Sequence, residues 1–263
     1  MELFAFIGMG NMGSAMLTGC LKNFRPGQIV FNRADPAKGR ELEEKTGVHF
    51  AGSALEAAQA ARVVILAVKP QVYPAVLSQL KGHLGGRIVI SLAPSYSIAQ
   101  LKEEIGEDVK IVRAMPNTPA AIGQGMTGIS FSDDDYTDEE KKLLDDFFTS
   151  FGLVETVPEN LMDTVTAASG SSPAFVYIMI EALADGVVAY GMPRAKAYRF
   201  VAQAVSGAAQ MVLTSGQHPG LLKDAVCSPG GTTIAAVEAL ERDGFRSSLM
   251  DAAAAVCDRC RKM

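Results

Sequence analysis

Near its start the chain reads Phe6-Ile-Gly-Met-Gly-Asn-Met-Gly13, a glycine pattern that follows an apolar run and precedes a helical pattern. In such a loop Gly8 permits a tight turn, Gly10 lets a pyrophosphate approach the backbone, and Gly13 lets the helix pack on the strand. Because both a strand and a helix flank the glycines, the pattern indicates a dinucleotide-binding loop. We therefore expect a sheet of alternating strands and helices to follow.

Short apolar runs alternate with helical patterns up to about residue 157. Continuous runs such as Val63-Val-Ile-Leu66 are typical of parallel strands that helices cover on both faces. This alternation predicts a doubly wound, Rossmann-type α/β domain over residues 1–157. The expected strands are Leu3–Ile7, Ile29–Phe31, Val63–Ala67, Ile88–Leu92, Lys110–Arg113, Gly128–Phe131 and Leu153–Val157.

From residue 158 onward the strand pattern stops and helical patterns follow. Small residues are dense there, so the helices can approach closely, and two apolar faces are too broad for this segment to cover alone. We therefore predict an all-α domain over residues 158–263 that dimerises with a second copy of the chain. The expected helices are Leu161–Ala168, Pro173–Tyr190, Pro193–Ser215, Gly220–Val226, Thr232–Arg242 and Phe245–Lys262.

Charge and composition exclude several classes of protein. The net charge of -5 over 263 residues gives no electrostatic reason to expect nucleic acid or an anionic membrane as a partner. No stretch has the roughly 18 consecutive apolar residues of a membrane span, and the start lacks the features of a signal peptide. We therefore expect a cytoplasmic protein with no membrane partner.

The cysteines do not predict a metal site. Cys257 and Cys260 have the spacing of half a zinc site, but no second Cys/His pair completes it. Cys20 and Cys227 lie far from them in the sequence, and four dispersed cysteines are too few for a disulfide framework. We expect free thiols and no bound metal.

The end of the second strand indicates which nucleotide is bound. NAD-specific loops place an acid there to hold the ribose 2′-hydroxyl, whereas this chain has Asn32-Arg33. Arg33 can clamp a 2′-phosphate and Asn32 can hydrogen-bond to it, which favours NADP(H), with NAD(H) as the less preferred coenzyme. Asp35 is the competing acid, although Asp35-Pro36 more simply starts the next helix.

Two later strands also end in turns that suit a ligand. Ala67-Val-Lys-Pro70 and Ala114-Met-Pro-Asn-Thr-Pro119 both follow predicted strands, at the sheet edge where open α/β sheets bind ligands. The amide of Asn117 could hold a carboxamide. Either turn could instead only end its strand, but three turns on one edge favour a nicotinamide pocket.

A second ligand site is indicated late in the chain by Val226-Cys-Ser-Pro-Gly-Gly-Thr-Thr233, which runs into a helical pattern. The glycines let the backbone bend close to a bound group, and the amides that open the helix are unpaired donors. Such a turn suits a small carboxylate. The alternative is a tight turn in which Thr232 caps the helix.

With these motifs the chain resembles the pyrroline-5-carboxylate reductases along essentially its whole length. The matching segments are Ile7–Gly13, Ala67–Pro70, Arg113–Pro119, Ser169–Pro173, Gly216–Gly220 and, most specifically, Lys223–Thr233. The resemblance implies an NAD(P)H-dependent enzyme of the last step of proline biosynthesis. It also implies a helical domain that interleaves with its partner in a homodimer, and it allows a pentamer of dimers.

The resemblance assigns roles to individual residues. The turn would bind the substrate carboxylate beside the nicotinamide, and Thr233, the catalytic candidate, would present its hydroxyl to the ring nitrogen. The substrate-binding candidates are Ser228, Gly230, Gly231, Thr232 and Thr233. The coenzyme-binding candidates are Gly8, Met9, Gly10, Asn11, Met12, Asn32, Arg33, Ala67, Val68, Lys69, Pro70, Ala93 and Asn117. One departure is Leu92-Ala93-Pro94-Ser95, where the family commonly has Ala-Ala-Gly; Ala93 can still line the pocket, but Pro94 supplies no amide.

Two other functions remain open from the sequence. A β-hydroxyacid dehydrogenase shares the two-domain plan but needs a proton acceptor, for which Lys196 and Lys223 are the candidates. A dinucleotide-binding regulator would keep the fold without catalysis, and the glycine-rich turn at 228–233 argues against it.

Overall fold

The computed structural model describes residues 2–262, and its strands join in one sheet. The strands are β1 (Glu2–Ile7), β2 (Ile29–Asn32), β3 (His49–Phe50), β4 (Ala61–Leu66), β5 (Ile88–Ser91), β6 (Lys110–Met115), β7 (Gly125–Phe131) and β8 (Gly152–Thr156). Their order across the sheet is β3-β2-β1-β4-β5-β6-β7-β8. Strands β1 to β6 are parallel and have the order of a dinucleotide-binding sheet, which confirms the predicted Rossmann-type fold.

Two details of the sheet differ from the expectation. Strand β7 runs antiparallel to β6, and β8 runs parallel to β7, so the sheet is mixed. A parallel connection needs a long crossover, whereas β6 and β7 are joined by a short segment that holds only a 3₁₀ turn at Thr118–Ile122. Strand β3 was not expected, because two residues are too few for a periodic signal.

Helices cover both faces of this sheet. They are α1 (Asn11–Cys20), α2 (Pro36–Thr46), α3 (Ala54–Ala60), α4 (Tyr73–Leu80), α5 (Ile98–Ile105) and α6 (Asp138–Thr149). Along β1, Phe4 and Phe6 pack into one apolar core while Ala5 and Ile7 pack into the other. Both sets of side chains are fully buried, which is why the parallel strands are continuously apolar instead of alternating.

The rest of the chain is helical, as the sequence predicts. A short helix, α7 (Met162–Val165), leads through a π-helical turn at Thr166–Ser171 into α8 (Ser172–Ala189). The remaining helices are α9 (Arg194–Ser215), α10 (Pro219–Val226), α11 (Thr232–Arg242) and α12 (Phe245–Cys260).

The chain divides into two compact units, Met1–Ser171 with Val256–Met263, and Ser172–Ala255. The end of α12 thus belongs with the sheet, and the Cys257 Sγ lies 3.9 Å from the Asp163 carbonyl oxygen there. The division between residues 157 and 158 marks where the strand pattern stops, and it stays a prediction for the domain boundary.

The second unit has little core of its own. Among its described hydrophobic residues only Ala184 and Ala197 are buried, while Ile178 and Phe200 are 65% and 66% exposed. By length and composition alone, the helical run Glu159–Ala189 could cross a membrane, with a mean hydropathy of 1.5. The sequence expectation overlooked it because charged residues interrupt the apolar positions. The exposed apolar faces of the helices in the second unit therefore need another surface to cover them.

Candidate active site

The glycine loop combines tight packing with one open position. Gly8 has a φ of 95°, and its N–H donates a 2.9 Å hydrogen bond to the Asn32 carbonyl. A Cβ on Gly8 would lie 2.6 Å from the Val68 Cγ1, and one on Gly13 would lie 2.7 Å from the Gly8 oxygen. A Cβ on Gly10 would meet nothing within 4 Å. Gly8 and Gly13 are therefore required by the fold, while Gly10 faces open space.

Helix α1 opens on that space with unpaired donors. Gly10 is its N-cap residue, and no side chain caps the helix. The N–H groups of Asn11, Met12 and Gly13 make no hydrogen bond to any described residue. Such amides, at the positive end of the helix dipole, bind anionic groups. The geometry therefore fits the pyrophosphate of a dinucleotide.

A cleft of 450 Å³ lies at the carboxyl ends of β1, β4, β5 and β6. It is lined by Gly10, Asn11, Met12, Ala67, Val68, Lys69, Leu92, Met115 and Pro116. The first six of these were expected from the sequence. The last three were not assigned, although each lies in a turn or strand end that the sequence places at this edge. The fold thus brings the glycine loop, the turn at 67–70 and the turn at 114–119 together in one cleft.

Three coenzyme candidates, Asn32, Ala93 and Asn117, have intramolecular partners, and the Asn32 Nδ2 donates to the Ala51 carbonyl at 3.0 Å. Ala93 is 4% exposed, and its N–H donates to the hydroxyl of Tyr73 at 3.1 Å. Asn117 is 7% exposed; its Nδ2 donates to the Ser169 carbonyl and its Oδ1 accepts from the Met126 N–H. The Asn117 amide retains one further donor and one further lone pair. A contact of Ala93 or Asn117 with the nicotinamide stays a prediction.

A smaller cleft of 200 Å³ lies at the end of β2. It is lined by Arg33, Lys38, Glu41, Leu42 and Lys45. Arg33 forms no ion pair with a described residue, so its guanidinium is available to an anion. Asp35 caps α2, accepting hydrogen bonds from the N–H groups of Ala37 and Lys38. The helix-starting interpretation of Asp35 is therefore confirmed, and this carboxylate is already engaged.

The hydroxyl of Tyr73 joins two strand ends beneath the larger cleft, a contact that the sequence did not indicate. It donates to the Leu66 carbonyl at 2.8 Å and accepts from the N–H groups of Leu92 and Ala93 at 3.1 Å each. Tyr73 is fully buried, and burial raises the pKa of its hydroxyl to about 12. No local pattern could have predicted contacts that depend on the crossover between β4 and β5.

The second candidate site lies in the other unit, at the start of α11. Gly230 has a φ of 66°, and the Gly231 N–H donates to the Ser228 carbonyl at 3.0 Å, which closes the turn. A Cβ on Gly231 would collide with the Ser228 hydroxyl. The alternative in which the Thr232 side chain caps the helix is wrong, because Gly231 is the N-cap residue, no side chain caps α11, and Thr232 is the first residue of the helix.

Because that cap is missing, the first turn of α11 retains its donors. The N–H groups of Thr232, Thr233 and Ile234 make no hydrogen bond to a described residue. As at the start of α1, unpaired N–H groups open the helix, and here they fit a carboxylate. The substrate-binding roles stay predictions for all five candidates, Ser228, Gly230, Gly231, Thr232 and Thr233.

Other chemistry finds little support in the described residues. No cluster of three or more His, Cys, Asp or Glu side chains suitable for a metal occurs in residues 2–262. Lys223, a candidate proton acceptor, lies 2.9 Å from Asp224, and this hydrogen bond raises the pKa of the lysine. A raised pKa makes Lys223 a poorer base, because less of it is unprotonated near neutral pH.

The fold and the cleft define the class, a Rossmann-type oxidoreductase that uses a nicotinamide dinucleotide. Residues 3–95 match a family described as NADP oxidoreductase, coenzyme F420-dependent, and residues 159–263 match pyrroline-5-carboxylate reductase dimerisation. A pyrroline-5-carboxylate reductase of Escherichia coli is 44% identical, covering 98% of this chain and 97% of the relative. The chain belongs to the pyrroline-5-carboxylate reductase family.

Solved structures agree over the full length. The Plasmodium falciparum pyrroline carboxylate reductase with NADP bound has a TM-score of 0.90 and 31% identity, covering 99% of this chain and 97% of that one. The Coxiella burnetii pyrroline-5-carboxylate reductase has a TM-score of 0.90 and 33% identity, covering 99% and 98%. The dimerisation family covers the helices with exposed apolar faces, and this match indicates that the chain self-associates.

Proposed function

We propose that the chain reduces 1-pyrroline-5-carboxylate to L-proline with NADPH, the last step of proline biosynthesis. The observation that carries this proposal is full-length similarity to enzymes of that name, from 36% to 44% identity in several organisms. The open position at Gly10 and the unpaired amides of α1 fit the coenzyme named for the Plasmodium falciparum structure.

The coenzyme would lie along the carboxyl edge of the sheet. The loop from Gly8 to Met12 would hold the pyrophosphate, and Asn32 with Arg33 would hold the 2′-phosphate. The turn 67–70, with Ala93 and Asn117, would border the nicotinamide. In this cleft Lys38 is paired with Asp35 at 3.8 Å and Glu41 stands beside Lys45, so Arg33 is the cation that supports NADPH as the preferred coenzyme and NADH as the weaker one.

The substrate carboxylate would bind at the start of α11. Ser228 and the amides of Gly230, Gly231 and Thr232 would hold it, and the Thr233 hydroxyl would contact the ring nitrogen. When bound, NADPH supplies the hydride that adds to the C=N bond. If the imine enters as its iminium ion, the chain needs only to orient it and exclude water, which agrees with the absence of histidine from residues 219–233.

The chain would act as a homodimer through α8 and α9, whose apolar side chains are exposed in a single copy. A pentamer of dimers is the further assembly proposed on the resemblance. The cytoplasm is the proposed location, supported by four free cysteines, which are typical of a reducing compartment.

One assay tests the reaction. The purified chain is given NADPH with pyrroline-5-carboxylate, or a β-hydroxyacid with NADP, or NADPH alone, and absorbance at the nicotinamide band is followed. Oxidation of NADPH only when the imine is present is expected. Turnover of the hydroxyacid would instead indicate a dehydrogenase, and no turnover in any mixture would indicate a binding protein.

The substitution Arg33→Ala is expected to separate the two coenzymes. Because only NADPH carries the 2′-phosphate, the KM for NADPH should rise about tenfold while that for NADH changes little. Steady-state kinetics with both coenzymes measure this. Lys81→Ala, which removes an exposed cation outside the cleft, is the matched control and should change neither value. Equal effects of Arg33→Ala on both coenzymes would remove Arg33 from the site.

The substitution Thr233→Ala is expected to lower kcat about tenfold, because one hydrogen bond to the reacting ring is lost while the backbone amides remain. Circular dichroism should show an unchanged fold. Thr214→Ala is the control, since the Thr214 hydroxyl bonds only to the Gln210 carbonyl of its own helix. Unchanged kinetics of Thr233→Ala with pyrroline-5-carboxylate would exclude a catalytic role for this hydroxyl.

A further inference from the structure

A single buried oxygen atom ties together the ends of two parallel strands. The Tyr73 side chain extends from the first residue of α4 to the ends of β4 and β5. Its hydroxyl donates to the Leu66 carbonyl and accepts from the N–H groups of Leu92 and Ala93. The Ser91 Oγ lies 3.1 Å from the same oxygen, so the Tyr73 hydroxyl has four polar neighbours for its one hydrogen and two lone pairs.

The backbone groups held by Tyr73 belong to the wall of the coenzyme cleft. Leu66 ends β4 and is followed directly by Ala67, which lines the cleft, and Leu92 lines it from the end of β5. The β4–β5 ladder ends where Leu66 is paired with Ser91, and the Tyr73 hydroxyl extends the connection between the two strands to Leu92 and Ala93, beyond that last pair.

The turn that follows β5 depends on the Tyr73 hydroxyl because the turn lacks one backbone donor. Pro94 has no N–H and so cannot anchor the turn by donating a hydrogen bond. Its carbonyl accepts from the Arg113 Nη2 at 3.0 Å, while the Tyr73 hydroxyl holds the two preceding amides. The Tyr73 ring also stacks on Tyr96, with centroids 5.0 Å apart, which holds the ring in place.

We propose that Tyr73 is a positioning residue for the nicotinamide coenzyme, acting through the backbone of Leu66, Leu92 and Ala93. The proposal rests on the coenzyme cleft assigned above. It adds a residue that touches neither coenzyme nor substrate yet determines the shape of the surface on which the coenzyme binds.

The substitution Tyr73→Phe tests this role, because it removes the oxygen and keeps the ring that stacks on Tyr96. The Leu66 carbonyl and the Leu92 N–H then lose this partner, and the Ala93 N–H keeps only its longer, 3.4 Å contact with the Ser91 Oγ, so the strand ends can shift. The Kd for NADPH, measured by fluorescence titration without substrate, is expected to rise about tenfold. The thermal melting point is measured on the same samples.

Tyr136→Phe is the matched control. The Tyr136 hydroxyl also has internal partners, donating to the Ile111 carbonyl at 2.9 Å and lying 3.0 Å from the Ser132 Oγ. These partners lie near the amino end of β6, at the opposite edge from the cleft. Both variants should melt earlier than the wild type, but only Tyr73→Phe should bind NADPH more weakly. Equal Kd values for the two variants would overturn the proposal.

Ser91→Ala is a milder variant for use if Tyr73→Phe does not fold. The Ser91 Oγ lies 3.1 Å from the Tyr73 hydroxyl and accepts from the Ala93 N–H at 3.4 Å. Its loss should weaken NADPH binding about threefold, and an unchanged Kd would count against Tyr73. If the wild type itself binds no NADPH, the proposed function fails instead, so the two failures are distinguishable.

Discussion

The substitution Gly10→Ala is expected to weaken NADPH binding on the order of 100-fold while leaving the fold intact, because an added methyl group that overlaps a bound group costs about 3 kcal/mol. The backbone at Gly10 is extended, with φ of -81° and ψ of -163°, which alanine also adopts. A Cβ there meets no protein atom within 4 Å. It would project into the space that we assign to the pyrophosphate.

Binding is measured by fluorescence titration with NADPH, and stability by thermal melting. Gly27→Ala is the matched control, because Gly27 is exposed and a Cβ there also meets nothing within 4 Å. Neither variant should melt earlier than the wild type. Tight NADPH binding by Gly10→Ala would show that the pyrophosphate does not approach this residue.

The substitution Ile178→Glu is expected to give a chain that does not self-associate, binds NADPH and reduces the imine at least about 100-fold more slowly. Ile178 is 65% exposed on α8, and a carboxylate there is costly to bury against a partner. The coenzyme candidates lie in the first unit, so their binding should persist. The turn at 228–233 lies in the unit with little core of its own, so loss of the partner should leave it poorly ordered.

Light scattering gives the mass, and titration and steady-state assays give binding and turnover. Gln79→Glu adds the same charge to an exposed position of α4 and should preserve assembly and activity. A monomeric Ile178→Glu with wild-type turnover would show that one copy is sufficient for catalysis. If Ile178→Glu still self-associates, the interface between copies does not include Ile178.

Much of the coenzyme site was predictable because its chemistry is local in the sequence. The spacing of Gly8, Gly10 and Gly13 indicates a loop with one open position, and the structure has that loop. Asn32-Arg33 followed by Asp35-Pro36 predicts a cation for a phosphate and an acid that caps a helix, and Asp35 does cap α2.

Other features could not be predicted, because they depend on residues that are distant in the chain. Asn117 offered an amide for a ligand, yet the fold brings Ser169 and Met126 to it as partners. Thr232 had the side chain of a helix cap, but the backbone of the turn places Gly231 at that position. In both cases the residue type indicated a hydrogen-bonding role, but the sequence did not indicate which group would be the partner.

Sequence patterns alone predicted the class of fold, the dinucleotide loop, NADP(H) as a coenzyme and a helical second half. These depend on periodicity and on residues within a few positions of one another. The reversed direction of β7 and the contacts of Tyr73 with two strand ends became evident only in the folded chain. Both arise where separate chain segments meet, and hydrogen bonds between such segments leave no periodic signal in either one.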